Sequence, residues 1–105
     1  MQRNDFLDKA AELINGERQA NYGEARVNFS RLALRISQHI NKNISSWEAA
    51  LILVELKLAR LANGYHEDSI VDAIGYLALV GELWEIEHEL ERKLSVIIKT
   101  DISGR

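Results

Sequence analysis

Apolar positions recur along this chain at spacings of three and four residues almost from end to end, the period of a helix packed on one side. Phe6, Ala10, Leu13 and Ile14 mark a first helix over about residues 4–14, and Asn15-Gly16 supplies its C-terminal stop. A polar connection follows, Glu17-Arg18-Gln19-Ala20-Asn21-Tyr22-Gly23, rich in hydrogen-bonding groups for its length. The second helix covers roughly 24–40 through Val27, Leu32, Leu34, Ile36 and Ile40, and Asn41-Lys42-Asn43 ends it.

Ser45-Ser46-Trp47-Glu48 is a capping box, a hydroxyl followed three residues later by a carboxylate, and it starts a third helix that runs to about Ala62. That helix is apolar on nearly every side, which predicts an element surrounded by others. After Asn63-Gly64, Asp68 or Ser69 can cap a fourth helix reaching about Lys93 or beyond. Its second half carries a stripe, Leu83, Ile86, Leu90 and Leu94, of the kind that often packs against another subunit. The tail, Ser95 to Arg105, reads as a helix extension, a short strand or a loosely packed end. Four helices with short connections predict an all-α four-helix bundle with a long C-terminal helix, in one domain spanning 1–105.

Composition narrows the picture in three ways. The 105 residues are 47% apolar, so a core can form, but a domain of this size hides only roughly two-thirds of its unfolded surface. Self-association would add burial. The chain has no cysteine, which excludes disulfides and thiolate metal sites. The first residues carry charges throughout and lack the apolar run of a signal peptide, and no stretch approaches the ~20 apolar residues that span a bilayer. The expected location is the cytoplasm, with no membrane partner. A net charge of −3 disfavours nucleic acid as a partner, and the one basic cluster, Arg26, Arg31 and Arg35, reads as a solvated helix face.

Chemistry is sought in the polar residues that interrupt apolar helices. On the third helix Glu48 and Glu55 are seven apart and share a face, while Lys57 and Arg60 point elsewhere. On the fourth, Asp68 and Asp72 stack four residues apart, Gly75 continues that face and Tyr76 borders it. Like charges at this spacing repel, and either a hard divalent cation or a neighbouring Lys or Arg would relieve them. Two readings therefore stand side by side. In one, Asp68, Asp72, Glu48 and Glu55 hold Mg²⁺ or Mn²⁺. In the other, Asp68 is a helix cap, Glu48 completes the capping box, and Asp72 pairs with Lys57 or Arg60. Arg18 suits an anion or a loop tie, and His66 a loop or cap role as readily as a ligand role.

The ordered string Gly16-x-Arg18-x-x-x-Tyr22-Gly23, Asn28-Phe29, Lys57-x-x-Arg60 and His66-x-Asp68-Ser69-x-x-Asp72-x-x-Gly75-Tyr76 resembles a family of small phage and prophage proteins known only as a domain of unknown function. That family in turn looks like a distant relative of the MazG-like all-α nucleoside triphosphate pyrophosphohydrolases. The resemblance implies a MazG-like bundle, a dimer or tetramer in the host cytoplasm, and Mg²⁺-dependent hydrolysis of an NTP or dNTP to NMP and pyrophosphate. It puts Asp68 to Asp72 where those enzymes carry an ExxD motif, although Ser69 replaces the glutamate and no ExxE stands on the third helix. Metal would then rest on Asp68, Asp72 and Glu48 or Glu55, phosphates on Lys57, Arg60 and Arg18, and the base near Tyr76, with His66 close by; no catalytic base is assigned. A non-catalytic protein that sequesters a nucleotide, and a structural or partner-binding module, are the alternatives.

Overall fold

The computed structural model describes residues 1–16 and 24–103. It forms four helices among those residues, α1 (Arg3–Asn15), α2 (Ala25–Ile40), α3 (Ser46–Ala62) and α4 (Glu67–Ser103), and no strand. The periodicity places three of these within a residue at each end, and the ambiguous tail continues α4 as far as Ser103.

Local chemistry sets the ends. Gly16 closes α1 by giving its N–H to the Glu12 carbonyl at 2.9 Å, and a Cβ there would meet that oxygen at 2.8 Å. Asn41 ends α2 in the left-handed conformation that Asn tolerates, with φ 57° and ψ 40°. Ser37 then ties the following loop back, its hydroxyl donating to the Ala33 carbonyl and accepting from the Ile44 N–H at 3.1 Å. The capping box at α3 is complete, with the Ser45 N–H donating to Glu48 Oε1 at 3.0 Å and the Glu48 N–H to Ser45 Oγ at 3.2 Å.

The cap of α4 corrects the expectation. Neither Asp68 nor Ser69 fills it, because the helix already begins at Glu67. The cap is His66, whose Nδ1 accepts the Ser69 N–H at 3.2 Å and the Ser69 hydroxyl at 2.9 Å. A ring nitrogen that accepts from a backbone amide is unprotonated, which assigns the proton to Nε2. Ser69 is fully buried with its hydroxyl so satisfied.

The core gathers where α2, α3 and α4 meet. Phe29 and Ala33 of α2, Ala49, Ala50 and Val54 of α3, and Tyr76, Leu79 and Leu83 of α4 form one buried cluster. Ala49 and Ala50 are wholly inaccessible, small residues that let α3 and α4 approach closely. The helix α4 is the spine that all the others touch, α3 along the greatest length, whereas α1 lies on α4 alone. The α1 contact passes over Gly75, where a Cβ would stand 3.0 Å from Ile14 Cγ2.

A second correction concerns α3. Its all-round apolar sequence predicts a surrounded helix, but Leu51, Ile52, Leu56 and Leu58 lie at the surface. The reason is arithmetic: only α2 and α4 pack on it, and two neighbours cannot cover the whole circumference of a helix. The molecule is also long, 61 × 33 × 24 Å with a radius of gyration of 17.1 Å. A compact chain of this length would come near ~13 Å. The excess is the C-terminal half of α4, which projects past the other helices with all of residues 89–100 exposed.

Candidate functional site

Five of the residues singled out in the sequence cluster along one antiparallel seam and its continuation. Lys57 Nζ of α3 meets Asp72 Oδ2 of α4 at 2.9 Å, with the side chains only 13% and 21% exposed. One turn further along α4, Tyr76 packs edge-on against Phe29 of α2, ring centroids 6.3 Å apart at 84°. Gly75 beside it receives Ile14 of α1. Phe29, Lys57, Asp72, Gly75 and Tyr76, scattered along the sequence, thus hold α1, α2, α3 and α4 in register.

The four acids read as a metal set do not come together. Asp72 is engaged by Lys57. Asp68 is exposed in the first turn of α4, and Glu55 is exposed on α3. Glu48 lies nine residues before Lys57, about 13 Å of helical rise away from the Asp72 contact. Its carboxylate is committed to the capping box, where the Ser45 N–H first and the Ser45 hydroxyl second hold its acid below the ordinary glutamate range; partial burial opposes this and Lys42 assists it. Among the described residues no group of three His, Asp or Glu side chains is placed to hold a metal ion. These four carboxylates within one chain do not fit a Mg²⁺ or Mn²⁺ ligand set.

Of the residues read as phosphate contacts, Lys57 is taken up by Asp72, and Arg60 is exposed near the end of α3, in none of the ion pairs among the described residues. His66 serves the α4 cap. Arg18 lies outside the described residues.

A different site emerges beside the Phe29–Tyr76 contact. A cleft of ≈ 920 Å³ opens between the end of α1, the start of α2, and the flanks of α3 and α4. Phe29, Leu32, Leu53, Tyr76, Leu79 and Ile86 make its floor, and Asn15, Glu24, Arg26, Asn28 and Glu82 its polar rim. The size and the apolar floor with a few convergent polar groups are those of a small-molecule site. Glu24, Ala25 and Arg26 are the first residues of α2, so the helix presents its N-terminus to the cleft, and Glu24 makes no side-chain cap bond there. Helix N-termini carry partial positive charge and suit anions, and Arg26 adds a full one.

Asn28, Phe29 and Tyr76 stand in the motif string, but the sequence points to no site role for Asn28, Phe29, Glu24 or Glu82, marks Asn15 only as a helix stop, and makes Arg26 part of a solvated face. The signal available was the motif order itself, since Phe29 of one motif and Tyr76 of another meet at the cleft floor. Facial arguments within single helices could not show which helix start opens onto which neighbour.

The architecture and the motif string define a class: an all-helical protein whose relatives are phage gene products. The family described as a domain of unknown function, DUF6378, matches residues 5–84, and the chain belongs to it. It is 41% identical over 81 residues to the Gene 55 protein of Mycobacterium phage D29, covering 76% of this chain and 54% of that protein. The Gene 55 protein of Mycobacterium phage L5 is 35% identical over 86 residues, 80% of this chain and 55% of its own length. The chain therefore spans about half the length of the curated relatives it matches. No solved structure matches it. No described helix is long and apolar enough to cross a membrane.

Proposed function

We propose that the protein binds a nucleotide in the cleft between α1, α2 and α4, in the cytoplasm of an infected host. The observation that carries this reading is the pairing of an aromatic and aliphatic floor with the N-terminus of α2 and Arg26 at the rim. The floor offers the flat apolar face of a base the partly exposed Leu32, Leu53 and Ile86, over the buried edges of Phe29 and Tyr76. The amides of Asn15 and Asn28 offer both donors and acceptors to base or sugar edges, and the helix start with Arg26 faces the phosphates. Glu24 and Glu82 on the same rim oppose a bare polyphosphate, so they favour a ligand of low charge or one whose charge is partly neutralised.

Binding is the part of the nucleotide reading that the side chains support. Pyrophosphohydrolysis of the MazG-like kind draws on Mg²⁺ held by several acids, and Asp68, Asp72, Glu48 and Glu55 are not gathered for it within one chain. Calorimetric titration with each NTP and dNTP, with EDTA and then with Mg²⁺ or Mn²⁺, tests the proposal. Saturable binding that Arg26→Ala and Asn28→Ala weaken at least tenfold is the expected result. No binding by any nucleotide in either condition would refute it, and steady release of pyrophosphate would replace sequestration by hydrolysis.

A further inference from the structure

We infer that Glu82 reads the base in the cleft between α1, α2 and α4, and that the base it selects is guanine. The inference rests on the nucleotide reading of that cleft and adds a base and a residue to it. Glu82 stands on the cleft rim, with Leu79 three residues before it and Ile86 four residues after it on the floor. At those spacings the side chains of a helix are neighbours, so the carboxylate borders the apolar surface on which a base would lie. Glu82 makes no ion pair or side-chain hydrogen bond to another described residue. Its own helix does not neutralise it either, because Ala78, Leu79 and Ile86 are apolar and Glu85 repeats the charge. Glu24, the other acid on the rim, has a structural reason to be there. It precedes the first turn of α2, where negative charge suits the helix dipole.

What such a carboxylate recognises follows from its chemistry. An ionised carboxyl group only accepts hydrogen bonds, through two oxygens side by side. Among the common bases guanine alone sets two donors side by side, its N1–H and its N2 amino group. Adenine and cytosine place a single amino group next to an unprotonated ring nitrogen, whose lone pair faces the second oxygen. Uracil and thymine flank one N–H with two carbonyls, and both carbonyls repel the carboxylate. Guanine therefore receives two charge-assisted hydrogen bonds where every other base receives at most one. Glu82 belongs to α4, whereas the helix start and Arg26 that face the phosphates belong to α2, so base and phosphate are served by different helices. The same carboxylate that opposes a bare polyphosphate thus becomes the source of base selectivity.

The test is calorimetric titration of the whole protein with the mono- and triphosphates of guanosine, inosine, adenosine, cytidine and uridine. Inosine keeps the N1–H and the O6 of guanosine and lacks only the N2 amino group. Guanosine nucleotides are expected to bind about tenfold or more tightly than their inosine counterparts, the loss that one hydrogen bond to a charged group entails. Glu82→Gln, at an exposed position, should leave the helical circular dichroism unchanged. Its amide sets a donor against one of the two guanine donors, which should bring guanosine and inosine nucleotides within about threefold of each other. A rim charge that merely repelled phosphate would act otherwise, since its removal would tighten every nucleotide and leave the order of the bases in place. Glu24→Gln is the control and should keep the guanine preference. Equal binding of all the bases, or a guanine preference that survives Glu82→Gln, would overturn the inference and leave the nucleotide reading standing. No binding by any of these nucleotides would refute both.

Discussion

At the scale of single residues, the ion pair of Lys57 and Asp72 decides between two roles that the sequence leaves open for Asp72. Its carboxylate is used by a lysine ammonium with little solvent around either group. Breaking such a pair leaves an uncompensated charge, which costs about 3 kcal/mol, whereas replacing both partners by apolar residues of similar size costs far less. Urea unfolding should therefore show Asp72→Ala destabilised by roughly 2–3 kcal/mol, and Lys57→Met with Asp72→Leu close to the wild type. Equal losses in the single and double variants would mean that the pair carries no special weight. Glu48 gives a second prediction, on pH. Its acid is lowered in the folded state by the Ser45 N–H and hydroxyl, so its contribution is complete above the ordinary value of 4.5 and fades as the pH falls through the lower folded value. Glu48→Gln should thus lose less stability than the wild type on acidification across that window, measured by thermal unfolding at a series of pH values. The capping box was legible from Ser45 and Glu48 alone, because both halves of it are local in sequence. The Lys57–Asp72 pair was legible only as one of two partners for Asp72, since helix phase relative to a neighbour is set by packing.

At the scale of elements, the helices could be read because proline is absent and the stops of the first three are signalled by Asn or Gly. What could not be read is how many neighbours each helix has. The sequence of α3 suits burial on all sides, yet its outer face carries exposed leucines, and periodicity records apolarity without recording what covers it. The cap of α4 was misplaced for a related reason. His66 was weighed as a loop or cap residue, but Asp68 and Ser69 have the stronger intrinsic preference for the cap, and a ring nitrogen outcompeted them through geometry. The junction of α1 with α4 carries the next prediction. Gly75 admits Ile14 so closely that a Cβ already crowds its methyl at 3.0 Å, and a side chain as large as Leu has no room without moving α1. Gly75→Leu is expected to cost about 1–3 kcal/mol, as overpacking does, and to speed hydrogen exchange in residues 3–15 while leaving α3 protected. Because Ile14 and Asn15 line the cleft, the same variant should weaken ligand binding. Uniform loss of protection across all four helices would contradict an α1 that docks on α4 alone.

At the scale of the whole molecule, the arrangement is a short bundle on a long spine, with an aromatic-floored cleft at one side and an unpaired projection at one end. The all-α architecture and the family were legible in the sequence, from periodicity and from the motif string. The cleft was not, because its rim comes from the end of α1, the start of α2 and the middle of α4, which no local pattern links. The central claim is that this cleft receives a nucleotide, and thermal unfolding with each NTP and dNTP, with and without Mg²⁺, tests it most directly. A ligand at ~100 times its dissociation constant stabilises a fold by about 2.7 kcal/mol, a shift of several degrees for a domain of this size. The account predicts such a shift for at least one nucleotide, abolished by Arg26→Ala, whose side chain is exposed and contributes little to the fold, and retained in Asp68→Ala. A shift that survives Arg26→Ala but disappears with Asp68→Ala, or no shift with any nucleotide, would contradict it.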